Sequence, residues 1–126
     1  MTPQMELCER SCRYCELACS AAIDHAGEIR GTRAFPDLIR ALGACRDLLR
    51  NTEESLRTAS ASYVMMCRAC GAACTLCGRA CDAFNTVLAR SGGADPVMKE
   101  VGDTCWITAS VCRDLISAAS RDLDLL

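Results

Sequence analysis

At 126 residues the chain is long enough to bury one continuous core, and its formal charge of -2 comes from 14 basic and 16 acidic residues interspersed along it. That balance leaves no basic field for nucleic acid, and no apolar run approaches the roughly 20 residues that cross a bilayer. Aromatics make up only 4%, and the apolar content sits in Ala, Leu and Cys, which favours helices over strands.

The first helix is expected to begin after Thr2, with Pro3 in its first turn, and to end near Gly27 or Gly31. It carries Cys8, Cys12, Cys15 and Cys19, at intervals of three or four residues that keep the thiols within an arc of roughly 60°. The second runs from about Thr32 to about Thr58, with Pro36 tolerated near its first turn and a stripe of Leu38, Leu42, Cys45, Leu49, Thr52 and Leu56. The third runs from about Ser62 to Arg90 and is closed by Ser91-Gly92-Gly93. Its stripe is Cys67, Cys70, Cys74, Cys77 and Cys81, continued by Phe84 and Leu88. The fourth opens at Asp95-Pro96, a capping residue followed by proline at the first helical position, and reaches about Arg121, carrying Cys105 and Cys112.

Short connections between four such helices imply an all-α fold: an antiparallel up-down-up-down four-helix bundle with a cysteine-lined core, formed as a single domain over residues 1–126. The first and third helices then run the same way. Counted from their starts, Cys8 lies level with Cys67, Cys12 with Cys70, Cys15 with Cys74 and Cys19 with Cys77. Cys45, Cys105 and Cys112 reach the same zone from the antiparallel helices. The other half, with Ile23, Leu38, Leu42, Phe84, Leu88 and Val101, is expected to be an ordinary apolar core.

The N-terminal residues Met1 to Glu6 show no leader-like pattern, so the expected location is the cytoplasm, where thiols stay reduced and a cysteine-rich pattern points to metal or redox chemistry. Thiols along one helix face suit bridging metals better than the strict dihedral of a disulfide. Four thiolates around one divalent zinc leave a buried negative charge, whereas one Cu(I) per thiolate is neutral, so charge balance selects Cu(I) over Zn(II). Iron-sulfur clusters stand second, because nine cysteines in two stripes exceed the ligands one cluster needs.

Met65 and Met66 precede Cys67, and Met5 precedes Cys8. Thioethers are soft donors for Cu(I) that need no deprotonation, and as ligands the three mark a mouth to the column; as core they are filling. His25, the only histidine, lies about 100° off the first stripe and is expected at the flank. Glu9, Glu16, Asp47 and Asp114 are expected on solvated faces, with no carboxylate pair for acid-base work.

The blocks C-x3-C-x2-C-x3-C on the first helix and C-x2-C-x3-C-x2-C-x3-C on the third resemble those of the cytosolic copper storage proteins, and with Cys45, Cys105 and Cys112 the resemblance covers most of the chain. It implies a bundle whose interior loads many Cu(I) ions, and association into tetramers. The family pattern has further cysteines near the end of the first helix, where this chain has Ala22 and Ala26, and in the last helix, where it has Thr108, Leu115 and Ala119. The thiol pool is therefore smaller, which leaves room for a buffer or a metal donor.

The leading expectation is a non-enzymatic copper storage or sequestration protein that binds multiple Cu(I) ions through its twelve thiolates, supplied by a copper chaperone or a thiol donor, and forming a homo-oligomer. The alternative is an iron-sulfur or thiol redox protein acting as an enzyme or electron carrier. A third reading, an interaction protein whose cysteines are only small core residues, predicts no tight metal binding.

Overall fold

The computed structural model describes residues 1–28 and 36–124, with side chains through 121. Four helices are present: α1 (Pro3–Glu28), α2 (Pro36–Arg57), α3 (Tyr63–Ala89) and α4 (Pro96–Asp124), with no strand among the described residues. The alternative end of the first helix at Gly31 and the expected start of the second at Thr32 lie outside the described residues.

Local chemistry sets the ends. The Thr2 hydroxyl accepts the Met5 amide at 3.1 Å and Pro3 occupies the first helical position, where its missing N–H costs nothing. At α4 the Asp95 carboxylate accepts the amides of Val97 and Met98 at 2.9 and 3.2 Å, and Pro96 follows it. The turn between α3 and α4 places Gly92 and Gly93 at φ of 119° and 156°, a region that residues with a Cβ rarely enter.

Cross-helix pairs give the topology. Between α1 and α2, Glu9 pairs with Arg57, Arg13 with Glu53 and Glu16 with Arg50; rising numbers meet falling ones, so the two helices are antiparallel. Ser11 with Thr108 and His25 with Asp95 show the same for α1 and α4. Cys45 with Cys74 and the Thr52 hydroxyl with the Met66 carbonyl do so for α2 and α3. For α3 and α4 the close approaches are Gly71 to Cys112, Gly78 to Trp106 and Gly102 to Cys81. Each helix thus packs on its two sequence neighbours around the ring, and the bundle is up-down-up-down.

Glycine makes the α3/α4 seam tight. A Cβ at Gly78 would sit 2.8 Å from the Trp106 ring, and one at Gly102 would sit 2.9 Å from Cys81 Cβ. The indole lies across Gly78 and donates its N–H to Asp82 at 3.1 Å, which satisfies the ring's one polar atom at the protein surface.

The core runs the length of the bundle in sections. Met5, Leu56 and Leu115 close the end where α1 and α3 begin; the thiols follow, with Leu49 among them; then come Ala22, Ala26, Leu38, Leu42, Phe84, Met98 and Val101, against which Ile23 and Leu88 pack. The expected apolar half is therefore present, and the near end carries an apolar cap as well.

One carboxylate departs from expectation, and a second is buried beside it. Glu9, expected on a solvated face, is 6% exposed, and Glu53 is 4% exposed; Arg13 bonds Glu9 and reaches Glu53 at 3.9 Å, while Arg57 reaches Glu9 at 3.6 Å. Burial, followed by contact with Glu16, pushes the Glu53 carboxyl up to about 7. Among the described residues no buried side-chain nitrogen or oxygen lacks a partner.

Candidate metal centre

All twelve cysteines are free thiols at 0% exposure. The helical repeat explains this: a residue every three or four positions stays on the inward stripe of α1 and of α3, while Cys45, Cys105 and Cys112 each occupy an inward position of their own helix. The levels read from the sequence are the levels observed. Cys8 meets Cys67, Cys12 meets Cys70, Cys15 meets Cys74 and Cys19 meets Cys77.

The thiols gather around two residues of α4. Cys112 has Cys8, Cys12, Cys67 and Cys70 as neighbours, and Cys105 has Cys15, Cys19, Cys45 and Cys77. Cys70 touches Cys74, which joins the groups into one column, and Cys81 extends it past Cys77. Sγ to Sγ distances are 3.8 Å for Cys8 and Cys112 and 3.7 Å for both Cys15 with Cys105 and Cys45 with Cys74. A disulfide needs about 2.05 Å, so these are contacts and not bonds. Metal-sulfur bonds of about 2.3 Å place two sulfurs on one ion up to about 4.6 Å apart, which matches. The four sulfurs of Cys15, Cys19, Cys45 and Cys105 all lie within 4.8 Å of one another, as do those of Cys8, Cys12 and Cys112.

Protonation is uneven. Cys105 and Cys112, each ringed by four thiols and desolvated, hold their protons far above the ordinary thiol range and serve as donors to their neighbours. Cys15, facing Cys105, and Cys8 and Cys70, facing Cys112, are lowered because those S–H groups stabilise their thiolates. Cys77 falls to about 5, first through Cys105 and then through Cys19. Cys67 rises to about 12: Cys112 favours its thiolate, but Cys8 and burial outweigh that. The Thr52 hydroxyl also favours the Cys70 thiolate.

No cation compensates. The buried polar residues among the described ones are Glu9, Thr52, Glu53, Thr104 and Thr108, without a lysine or an arginine. Negative charge placed on the column has to be neutralised by whatever ions enter it.

The methionines separate. Met5 is buried at the near end, Met66 is half-buried, and Met65 is 73% exposed. Met65 stands two residues before Cys67, about 200° around the helix, and so points away from the thiols. The mouth built on a Met65 and Met66 pair is corrected accordingly: Met65 is a surface residue. His25 is at the flank as expected, 2.8 Å from the Asp95 carboxylate that caps α4; burial opposes ionisation of that carboxyl, but His25 and the capped amides hold it below its usual range. No helix among the described residues is long and apolar enough to cross a membrane.

No known family profile matches the chain. No curated protein matches it either. Among solved structures the chain superposes on a Cu(I)-bound copper storage protein, BsCsp3, with a TM-score of 0.78 and 21% sequence identity, over 88% of this chain and 96% of the other. At that identity the likeness establishes a shared four-helix fold.

Proposed function

We propose that this protein stores or sequesters Cu(I), binding many ions through Cys8, Cys12, Cys15, Cys19, Cys45, Cys67, Cys70, Cys74, Cys77, Cys81, Cys105 and Cys112, without chemical turnover. The observation that carries the reading is twelve fully buried thiols with no buried cation among the described residues. A monovalent soft ion at one per thiolate neutralises such a column, whereas a divalent ion on four thiolates leaves two negative charges in it. The Cu(I)-bound protein of the same fold adds support. An iron-sulfur or redox role is not favoured, because the thiols form one continuous column instead of a single isolated set of four.

Copper entry releases the thiol protons, so uptake acidifies the medium and weakens as pH falls. In this reading Met5 and Met66 offer copper soft contacts at the column's near end, and Met65 takes no part. A copper chaperone or thiol donor supplies the ions in this reading. The protein acts as a single domain over residues 1–126 in a reducing compartment such as the cytoplasm. Association of bundles, as tetramers by the family resemblance, draws on exposed apolar residues such as Tyr14 and Leu17. The deciding experiment is an anaerobic Cu(I) titration against a competing chelator, expected to saturate at many equivalents, up to about twelve. Saturation at one or two equivalents refutes storage.

A further inference from the structure

The column is capped at both ends, by Met5, Leu56 and Leu115 on one side and by Leu42, Phe84 and Met98 on the other. A lateral groove also reaches the column. It has a volume of about 590 Å³ and lies between α3 and α4, and its lining includes Cys67 and Cys112. The small residues Gly71, Ala72 and Ala109 line the groove alongside these cysteines, and the Cβ position of Gly71 is 3.6 Å from Cys112 Cβ.

The charge of this groove is one-sided. Arg68, Arg79 and Arg113 line it, no carboxylate does, and none of the three has an ion-pair partner among the described residues. On the α1/α2 face, by contrast, Arg13, Arg50 and Arg57 each reach a glutamate. Three guanidiniums without an ion-pair partner among the described residues make the groove locally positive on a protein of net charge -2, and the volume is that of a small-ligand pocket, roughly 300–1,000 Å³.

We propose that the α3/α4 groove docks a small anionic thiol carrying Cu(I) and is the side entrance through which copper reaches Cys67 and Cys112. The proposal rests on the Cu(I) reading above. Cu(I) travels bound to soft donors, so the species that arrives is a thiolate complex, and the carboxylates of an anionic thiol meet the arginines. Transfer is a ligand exchange. The Cys67 sulfur bonds the copper as one carrier thiolate leaves with the Cys67 proton; the Cys112 sulfur then displaces the second carrier in the same way. One bis-thiolate Cu(I) complex and two cysteine thiols become one protein-bound Cu(I) and two free carrier thiols. Copper stays monovalent and no electrons are exchanged. Both cysteines are fully buried, so the exchange needs a local opening of α3 against α4 at Gly71, which has no side chain of its own to displace.

The test follows Cu(I) loading of the full chain, anaerobically, from two preformed donors: the Cu(I) complex of glutathione, a thiol with two carboxylates, and that of uncharged β-mercaptoethanol. Wild type is expected to load from the anionic donor on the order of 10-fold faster, with the advantage shrinking as salt is raised. In Arg68→Gln/Arg113→Gln that advantage disappears, while final stoichiometry and loading from the uncharged donor stay unchanged. Ala72→Trp, at an exposed position that fills the groove without entering the core, slows loading from both donors. An undiminished anionic advantage in the arginine variant, or unchanged rates in Ala72→Trp, overturns the side entrance. So does a result in which the arginine variant alters only the assembly size, which assigns the groove to a second copy of the chain. If neither donor loads the wild type at all, the Cu(I) reading itself fails, an outcome distinct from loss of the groove alone.

Discussion

The two halves of this bundle both bury their inward side chains but cohere by different means. The far half is filled by Leu38, Leu42, Phe84, Met98 and Val101, side chains whose burial contributes about 1.5–3 kcal/mol each for the larger aliphatic and aromatic ones. The near half is filled chiefly by thiols, which are smaller, soft, and packed at 3.7–3.8 Å in the pairs that touch most directly. The lesson is a division of labour along one axis. On the Cu(I) reading proposed above, the aliphatic half would hold the helices in register with or without metal, and the thiol half would exchange its protons for it.

The largest test of this contrast is metal loading. A ligand held only by the folded state adds about 4 kcal/mol at a thousand times its Kd, so Cu(I)-loaded protein is expected to melt far above the apo form. Hydrogen exchange should show the new protection concentrated around Cys8 to Cys19 and Cys67 to Cys81. Protection gained equally in both halves would erase the distinction, and an unfolded apo chain by circular dichroism would show that the aliphatic half does not suffice.

Next in size, Leu42→Ala is expected to cost the apo protein about 2–5 kcal/mol in urea denaturation while leaving copper stoichiometry unchanged. Cys45→Ala should do the reverse, costing about 1 kcal/mol and lowering capacity. A loss of capacity in Leu42→Ala would mean that the halves are coupled.

The seam that spans both halves offers a smaller effect. Gly78→Ala forces a methyl to 2.8 Å from the Trp106 ring, and the expected cost is about 1–3 kcal/mol, with a change in indole fluorescence. Native stability and emission in that variant would show that Trp106 moves aside freely.

The smallest effect belongs to Glu53, on the outer side of the thiol half. Its folded-state carboxyl lies near 7 against an ordinary 4.5, so between those values the folded chain holds a proton that the unfolded chain has released. Stability therefore falls as pH rises through that window and levels off above it, by on the order of 1 kcal/mol once screening by Arg13 and Arg57 is allowed for. Glu53→Gln should flatten the slope between pH 5 and 7.5. An unchanged slope would assign the effect to another group.

Much of this was legible in the chain. Proline and glycine punctuation marked all four helices, because a missing N–H or a positive φ is tolerated in few places, and the described ends fall within a few residues of those marks. The thiol levels followed from the constant rise of a helix. Glu9 was not legible: it borders Cys8, and its burial depends on how closely α2 approaches and on Arg13 and Arg57 folding over it. Glu53 was hidden for the same reason. Met65 was legible in principle, since a residue two positions before Cys67 lies more than half a turn from the thiol face. The α3/α4 groove depends on small residues from two helices meeting at one height, which no single helix period reveals.

Thr108 sits fully buried on the inward face of α4 between Cys105 and Cys112, and Ala22 is fully buried one turn beyond Cys19 on α1. Each fills a slot of the same inward series with a residue close to cysteine in size. On the Cu(I) reading, carrying capacity is then a digit string written along the helices: a single codon change at an inward position would add or remove one thiol while leaving the scaffold as it is.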